Sequence, residues 1–458
     1  MYLKQIFIYS LTILFCTACT DELDQYPETS IVADNYYTTE ENVESTVTAT
    51  YNSLQELYDY YMILFGEIPS DNTYVQAPNS NTGVSSLEDF TWTSTTGFTN
   101  SIWENAYEGV LYANTVLEFI DDTTYESESI KTIRKGEVTF LRGFLYHLLT
   151  SIYGDVPLVI SIGNPSDAFD DTRTPLEEVN AQIEKDLLEA IALLPQVNST
   201  GRVDRNAAKA ILAKHYLNNQ DYTNAEIQLQ SIVTSGQYSL VDFGDLYGVD
   251  NEGNSEDIFS VQFASELDDK SEGSSYYYSF TQPDNEGGKG AMAMEKSLYD
   301  LYDVNDLRRT LINESGNTYY INKWTPSPNT SVGDAGDNHY IVRYADILLL
   351  YAECLNENSK TSEAITYLNV VRNRAGLTNT IANNQASVRD AIALERRLEL
   401  VGEGHRWFDL LRTNKAKETM DTFFESQSRS TVVESFRLLA PVPQSQIDIT
   451  EMEQNPKY

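Results

Sequence analysis

Cysteine, histidine, tryptophan and positive charge are all scarce in this chain of 458 residues. Three cysteines do not make a disulfide framework. Two of them, Cys16 and Cys19, fall in the first twenty residues, which leaves Cys354 alone in an apolar helical pattern. A buried free thiol is the reading there, because no base is indicated beside it. The four histidines are His147, His215, His339 and His405, and no pair has zinc-ligand spacing. The segment Glu403-Gly-His405 therefore does not read as a metal site. No EF-hand loop is present either, although so acidic a chain leaves room for a structural calcium ion. Only 31 Lys and Arg stand against 69 Asp and Glu, a net charge of −38. That excess excludes nucleic acid, which needs clustered basic residues, and argues against charge-driven binding to anionic lipid. A phosphate-cradling glycine loop and a Gly-x-Ser-x-Gly elbow are also missing.

No apolar run reaches the roughly 20 residues that span a bilayer. The opening run, residues 6–15 after Lys4, fits the apolar core of a secretory signal instead. Thr17, Ala18 and Cys19 follow. This resembles a bacterial lipoprotein signal, cut before the cysteine whose sulfur then carries lipid. Cys16 stands where such signals usually have Leu. Asp21, Glu22 and Asp24 come next and look like the surface-export signal of some Gram-negative lipoproteins. The expectation is a signal at 1–18, lipidation at Cys19 and one domain over 19–458.

What the chain does have is helical periodicity. Apolar residues recur at helical spacing over 44–60, 102–120, 130–153, 176–194, 207–218, 223–234, 344–356, 362–374 and 387–412. Two helix pairs are related by a shift of 139 positions, which lays Ala213 on Ala352, Ala225 on Ala364, Leu229 on Leu368 and Ile232 on Val371. Units of this length match a tetratricopeptide repeat, which buries its apolar faces only by stacking. The expected fold is mainly α, a tetratricopeptide-like helical scaffold with repeat pairs within about 44–236 and 340–412. Large irregular insertions interrupt it, the longest at 241–339. Alternating runs at 258–263 and 318–324 predict a few short strands inside that insertion.

Aromatic residues are skewed to 31 Tyr against 17 Phe and 4 Trp. Tyrosine pairs an apolar face with a polar tip, which suits a binding surface. Sugars offer C–H faces that stack on rings and hydroxyls that need hydrogen-bond partners. Loop aromatics beside Asp and Asn are thus the candidate ligand site. The first loop supplies Asp71, Asn72, Tyr74 and Trp92, and the long insertion supplies Tyr276, Tyr277, Tyr278, Phe280 and Trp324. Trp103 and Trp407 sit in helical patterns and read as core. Glu395, Glu399 and Glu403 recur every four residues, which places them on one helix face. Arginines and leucines interleave with them, so the reading is a charge-paired packing helix and not a glycosidase carboxylate pair.

The C-terminal run Ala393-Leu-Glu-Arg-Arg-Leu-Glu-Leu-Val-Gly-Glu-Gly-His-Arg-Trp-Phe-Asp-Leu-Leu-Arg412 resembles the signature of the SusD/RagB-like family. So do Arg343-Tyr-Ala-Asp-Ile-Leu-Leu-Leu-Tyr-Ala-Glu353, Tyr153-Gly-Asp-Val-Pro157 and Leu439-Ala-Pro-Val-Pro443. The resemblance implies an outer-membrane lipoprotein, lipid-anchored and facing outward. It implies a partner, a SusC-like TonB-dependent transporter, to which a captured oligosaccharide is delivered. It implies no catalysis and no cofactor. A peptide-capturing lid is the alternative ligand class, and a surface glycoside hydrolase the alternative activity.

Overall fold

The computed structural model describes residues 36–76, 82–163, 172–265, 272–284, 287–326 and 333–458. Cys19 and the signal segment lie outside the described residues. Among the described residues no helix is long and apolar enough to cross a membrane.

Helices dominate. The first is α1 (Glu40–Glu56), which runs into a π-helical turn, Leu57–Tyr61, and then α2 (Met62–Glu67). The scaffold continues with α3 (Gly97–Phe119), α4 (Glu128–Tyr153), α5 (Leu176–Leu193), α6 (Arg205–Asn218) and α7 (Tyr222–Val233). It resumes after the insertion with α8 (Tyr344–Glu357), α9 (Thr361–Arg374), α10 (Gln385–Glu399), α11 (Arg406–Arg412) and α12 (Ala416–Ser426). Local chemistry sets several boundaries. Asp204 caps α6 by accepting from the backbone N–H of Asn206 and Ala207, and Asn384 with Ser387 forms a capping box on α10.

The repeat expected from sequence is present. The pairs α6–α7 and α8–α9 keep the 139-residue offset, and all four alanines are fully buried. The turn residues obey it too: Gln220 and Ser359, at equivalent positions, have φ of 57° and 65°. Helix α7 packs directly on α8 although the whole insertion separates them in sequence. Asn358 fastens the joint by donating to Tyr222 O (3.1 Å) and Glu226 (2.8 Å). The helix pairs therefore stack into one tetratricopeptide-like layer.

The insertion holds most of the β structure. Strands β1 (Thr73–Val75), β3 (Met292–Met294), β5 (Thr318–Ile321) and β4 (Ile312–Ser315) form an antiparallel sheet in that order. Strands β2 (Asp257–Val261) and β6 (His339–Arg343) form a separate antiparallel pair. Sequence alternation located β2 and β5. It did not reveal β1, β3, β4 or β6; of these, β3 and β6 are buried on both faces and so do not alternate.

One element departs from expectation. The periodic run 387–412 is not one helix: α10 ends at Glu399, and α11 starts at Arg406. Between them Gly402 and Gly404 adopt φ of 81° and 78°, a conformation that favours glycine. This turn packs on α2 so closely that a Cβ on Gly66 would lie 2.0 Å from Gly404 O. Glu403 therefore leaves the helix face that carries Glu395 and Glu399.

Candidate functional site

The π-helical turn sits where the scaffold meets the insertion. Such turns rotate the side chains that follow and are frequent at functional sites. Tyr58 points inward, its ring stacked on His339 at 5.5 Å. Asp59 reaches the insertion, accepting from the backbone N–H of Ser275 at 2.6 Å. Burial raises the Asp59 carboxyl above the usual aspartate range, and the Ser275 hydrogen bonds oppose that rise. Tyr60 and Tyr61 follow and are only half-buried. Phe98 supports both rings, at 6.0 and 5.3 Å between centroids.

Ser275 also starts the short helix Tyr276–Phe280, which lies against β3. Strand β3 pairs with β1, placing Ala293 opposite Tyr74. Within this assembly Tyr74 and Tyr278 remain half-buried. The result is four tyrosines with accessible surface: Tyr60 and Tyr61 on the π-turn tied to Ser275 by Asp59, Tyr278 on the helix that follows Ser275 and lies against β3, and Tyr74 on β1, which pairs with β3. The hydroxyls of Ser274, Tyr276, Ser279 and Thr281 are buried without a partner among the described residues. Buried polar groups are normally paired, so this segment carries unused hydrogen-bonding capacity.

The other residues proposed from sequence lie deeper. Asp71 is 6 % exposed and forms ion pairs with Arg406 (2.8 Å) and Arg397 (3.0 Å). Asn72 is buried as well, accepting from Arg397 at 2.8 Å and donating to Glu67 at 3.1 Å. Trp92 is 1 % exposed; its ring packs against Phe65 and Phe90, and its indole N–H donates to Tyr458 Oη at 2.6 Å. These three are structural, a correction that follows from their burial and complete pairing. Tyr276 packs between Phe263, Trp324 and His339, and Trp324 stacks on Phe280 at 5.0 Å. Tyr277 is buried, with its hydroxyl on Asp284 at 2.6 Å. Tyr276, Tyr277 and Trp324 thus form the packed base of the insertion, and only Tyr74 and Tyr278 of the proposed aromatics keep an open face. Sequence reasoning missed Tyr60 and Tyr61. The signal was the run Tyr58-Asp59-Tyr60-Tyr61 at the end of an otherwise apolar stripe.

The carboxylates of the signature run are spoken for. Arg343 donates to Glu399 (2.7 Å) and Glu403 (2.8 Å), and Arg308 to Asp306 (2.8 Å) and Glu399 (3.2 Å). Glu395 pairs with Arg308 (2.7 Å) and Arg372 (2.9 Å), and Lys323 with Glu403 (2.7 Å). Burial alone would raise the Glu399 carboxyl; Arg374, Arg343 and Arg308 overcome it and hold it down at about 2. Trp103 and Trp407 are core, as their helical spacing predicts. Cys354 is a fully buried free thiol, pushed well above the ordinary range by burial. Among the described residues no group of three or more His, Cys, Asp or Glu is arranged to hold a metal ion.

Comparison with known proteins gives the same architecture. The description "Starch-binding associating with outer membrane" matches residues 23–217, and the SusD family matches residues 307–458. The chain belongs to the SusD family. A SusD-like protein of Formosa agariphila is 27 % identical, over 90 % of this chain and 92 % of its own length. A solved laminarin-binding SusD-like protein is 27 % identical, with a TM-score of 0.80, covering 92 % of this chain and 100 % of that one. Surface glycan-binding protein A from Bacteroides thetaiotaomicron, solved with laminarihexaose, superposes with a TM-score of 0.79 at 24 % identity. It covers 91 % of this chain and all of that one, and shows the shared SusD fold.

Proposed function

We propose that this SusD-family protein captures an oligosaccharide at the cell surface by stacking it on Tyr60, Tyr61, Tyr74 and Tyr278. The observation that carries the reading is the π-turn. It presents two adjacent tyrosines, backed by Phe98, at the joint with the insertion that supplies Tyr278, while Tyr74 comes from β1, which pairs with β3 of that insertion. Rings fixed from behind lose little freedom when a ligand stacks on them, so more of the contact energy appears as affinity. The tyrosine hydroxyls can both donate to and accept from sugar hydroxyls. The similar laminarin-binding structure supports a glucan or a related neutral glycan as ligand.

Lipidation at Cys19 would tether the protein, and a SusC-like TonB-dependent transporter would receive the ligand. No step of this capture is covalent. The Glu395, Glu399 and Glu403 carboxylates are committed to arginine and lysine partners inside the protein, which supports binding without turnover. Affinity electrophoresis through gels containing laminarin, starch or xylan tests the reading. Retardation in at least one gel, without release of reducing ends, is expected. Unaltered mobility in every gel, or steady product release, contradicts it.

A further inference from the structure

The face of α1 preceding the π-turn borders an open groove. Two adjoining cavities, of about 380 and 300 Å³, share Thr200, Gly201, Arg202 and Gln262. Thr48, Asn52 and Gln55 of α1 line one of them. Their spacing continues to Asp59, so a single helical stripe leads from the groove to the joint with Ser275. Glu272, three residues before Ser275, closes the same end.

The groove walls are fixed in advance. Gln262 O accepts from Gln55 at 2.7 Å, and its side-chain oxygen accepts from Asn338 at 3.1 Å. Its amide donates to Ser260 Oγ at 3.0 Å. Arg202 is held by Glu137 at 2.6 Å, with its guanidinium over the Tyr51 ring. Glu252 and Asp257 line the far cavity. Glu252 accepts from the backbone N–H of Asn338, Asp257 accepts from Ser260 Oγ, and neither meets a basic side chain among the described residues.

This lining selects its ligand. Each cavity falls in the size class of about 300–1,000 Å³ that small ligands occupy. Arg202, which lines both cavities, is already paired with Glu137, and Glu252 and Asp257 add negative charge, so the groove disfavours an anion. A protein partner would need aromatic or aliphatic anchors buried at the centre of the contact. A preformed trough that mixes side-chain amides and carboxylates with apolar surface from Tyr51, Tyr238 and Val261 suits a neutral ligand that offers both hydroxyls and C–H faces. We infer that the groove is a second carbohydrate-binding surface, which holds further units of the same glycan chain that stacks on Tyr60 and Tyr61. The inference rests on the glycan reading above and extends it to a track along α1.

Hydrogen–deuterium exchange with hexaoses of β-1,3-, β-1,4- and α-1,4-linked glucose tests it, on the wild type and on Thr200→Trp and Asn52→Trp. Thr200 and Asn52 are exposed, so both variants should keep the wild-type melting temperature. At least one hexaose should protect 48–55, 198–204 and 257–262 together with 57–61. Each variant should bind that hexaose at least fivefold more weakly and lose the groove protection. Protection confined to 57–61 and 276–280, with unchanged affinity in both variants, overturns the groove and leaves the tyrosine face standing. Absence of protection everywhere with all three hexaoses overturns both.

Discussion

Asp59 Oδ1 accepts a 2.6 Å hydrogen bond from the backbone N–H of Ser275, across 216 residues of sequence. This bond joins the π-turn of the scaffold to the first residue before the Tyr276–Phe280 helix. The arrangement of the candidate site depends on it, because Tyr60 and Tyr61 come from one side and Tyr278 from the other.

Asp59→Ala removes that acceptor and leaves a partly buried N–H unsatisfied. Hydrogen bonds to charged groups contribute about 1.5–3 kcal/mol. The expected outcome is faster amide exchange across 274–281 and roughly tenfold weaker glycan binding, about 1.4 kcal/mol. Exchange rates identical to wild type would show that the bond does not position the insertion.

Trp92 and Tyr61 should behave oppositely. Trp92 is enclosed by Phe65 and Phe90. Trp92→Ala should cost about 3–5 kcal/mol of stability in urea unfolding, in line with other buried aromatic truncations. Tyr61→Ala should weaken ligand binding with little change in the unfolding midpoint. A stable Trp92→Ala protein that has lost its ligand would restore the tryptophan to the binding surface.

Arg343 serves Glu399 and Glu403 at once, and all three are buried. Arg343→Met removes one cation from each of two buried carboxylates, leaving Glu399 to Arg308 and Arg374 and Glu403 to Lys323, and should destabilise the fold by about 3–5 kcal/mol, the usual cost of breaking a buried pair. Chemical denaturation measures this, and a change below about 1 kcal/mol would mean that water relieves the charges.

His147, His215 and His339 are buried and His405 is half-buried, and desolvation lowers all four: His147 and His339 to about 3, His215 and His405 to about 4. Unfolding lets each take up a proton below its ordinary value of about 6.5. Their contribution to stability therefore falls as pH drops from about 6.5, by about 1.4 kcal/mol per pH unit for each group. Glu67 and Glu295, raised by burial to about 7, and Asp257 and Asp337, raised to about 6, act with the opposite sign. Their contribution is present at low pH and fades as pH rises. Bulk stability should thus vary little between pH 5 and 7. Imidazole NMR signals separate the effects: no histidine should titrate between pH 8 and 5 in the folded protein. A midpoint near 6.5 for any of them would contradict its burial.

Much of the scaffold was legible in the sequence. The alanine positions 213, 225, 352 and 364 revealed the repeat because close helix contact demands a small residue there whatever else surrounds it. The site was less legible. Asp71, Asn72 and Trp92 look like exposed loop residues until Arg397, Arg406 and Tyr458 close over them, and those partners lie more than 300 residues downstream. Polarity in a loop records nothing about such distant partners. Tyr60 and Tyr61 were hidden for another reason. A π-turn differs from an α-helix by one residue per turn and leaves no local mark in the periodicity. The helix break at Gly402 and Gly404 was masked in the same way, since apolar spacing resumes in phase after the turn.

Isothermal titration calorimetry of the purified protein, with glucose-based hexaoses against unstructured peptides of similar size, tests the central claim most directly. The account predicts saturable binding of at least one hexaose, with Kd between about 1 μM and 1 mM, or about −8 to −4 kcal/mol. It predicts at least tenfold weakening in the Tyr60→Ala/Tyr61→Ala variant and no heat from peptides. Saturable binding of peptides alone, or a hexaose affinity untouched by that double substitution, would contradict it.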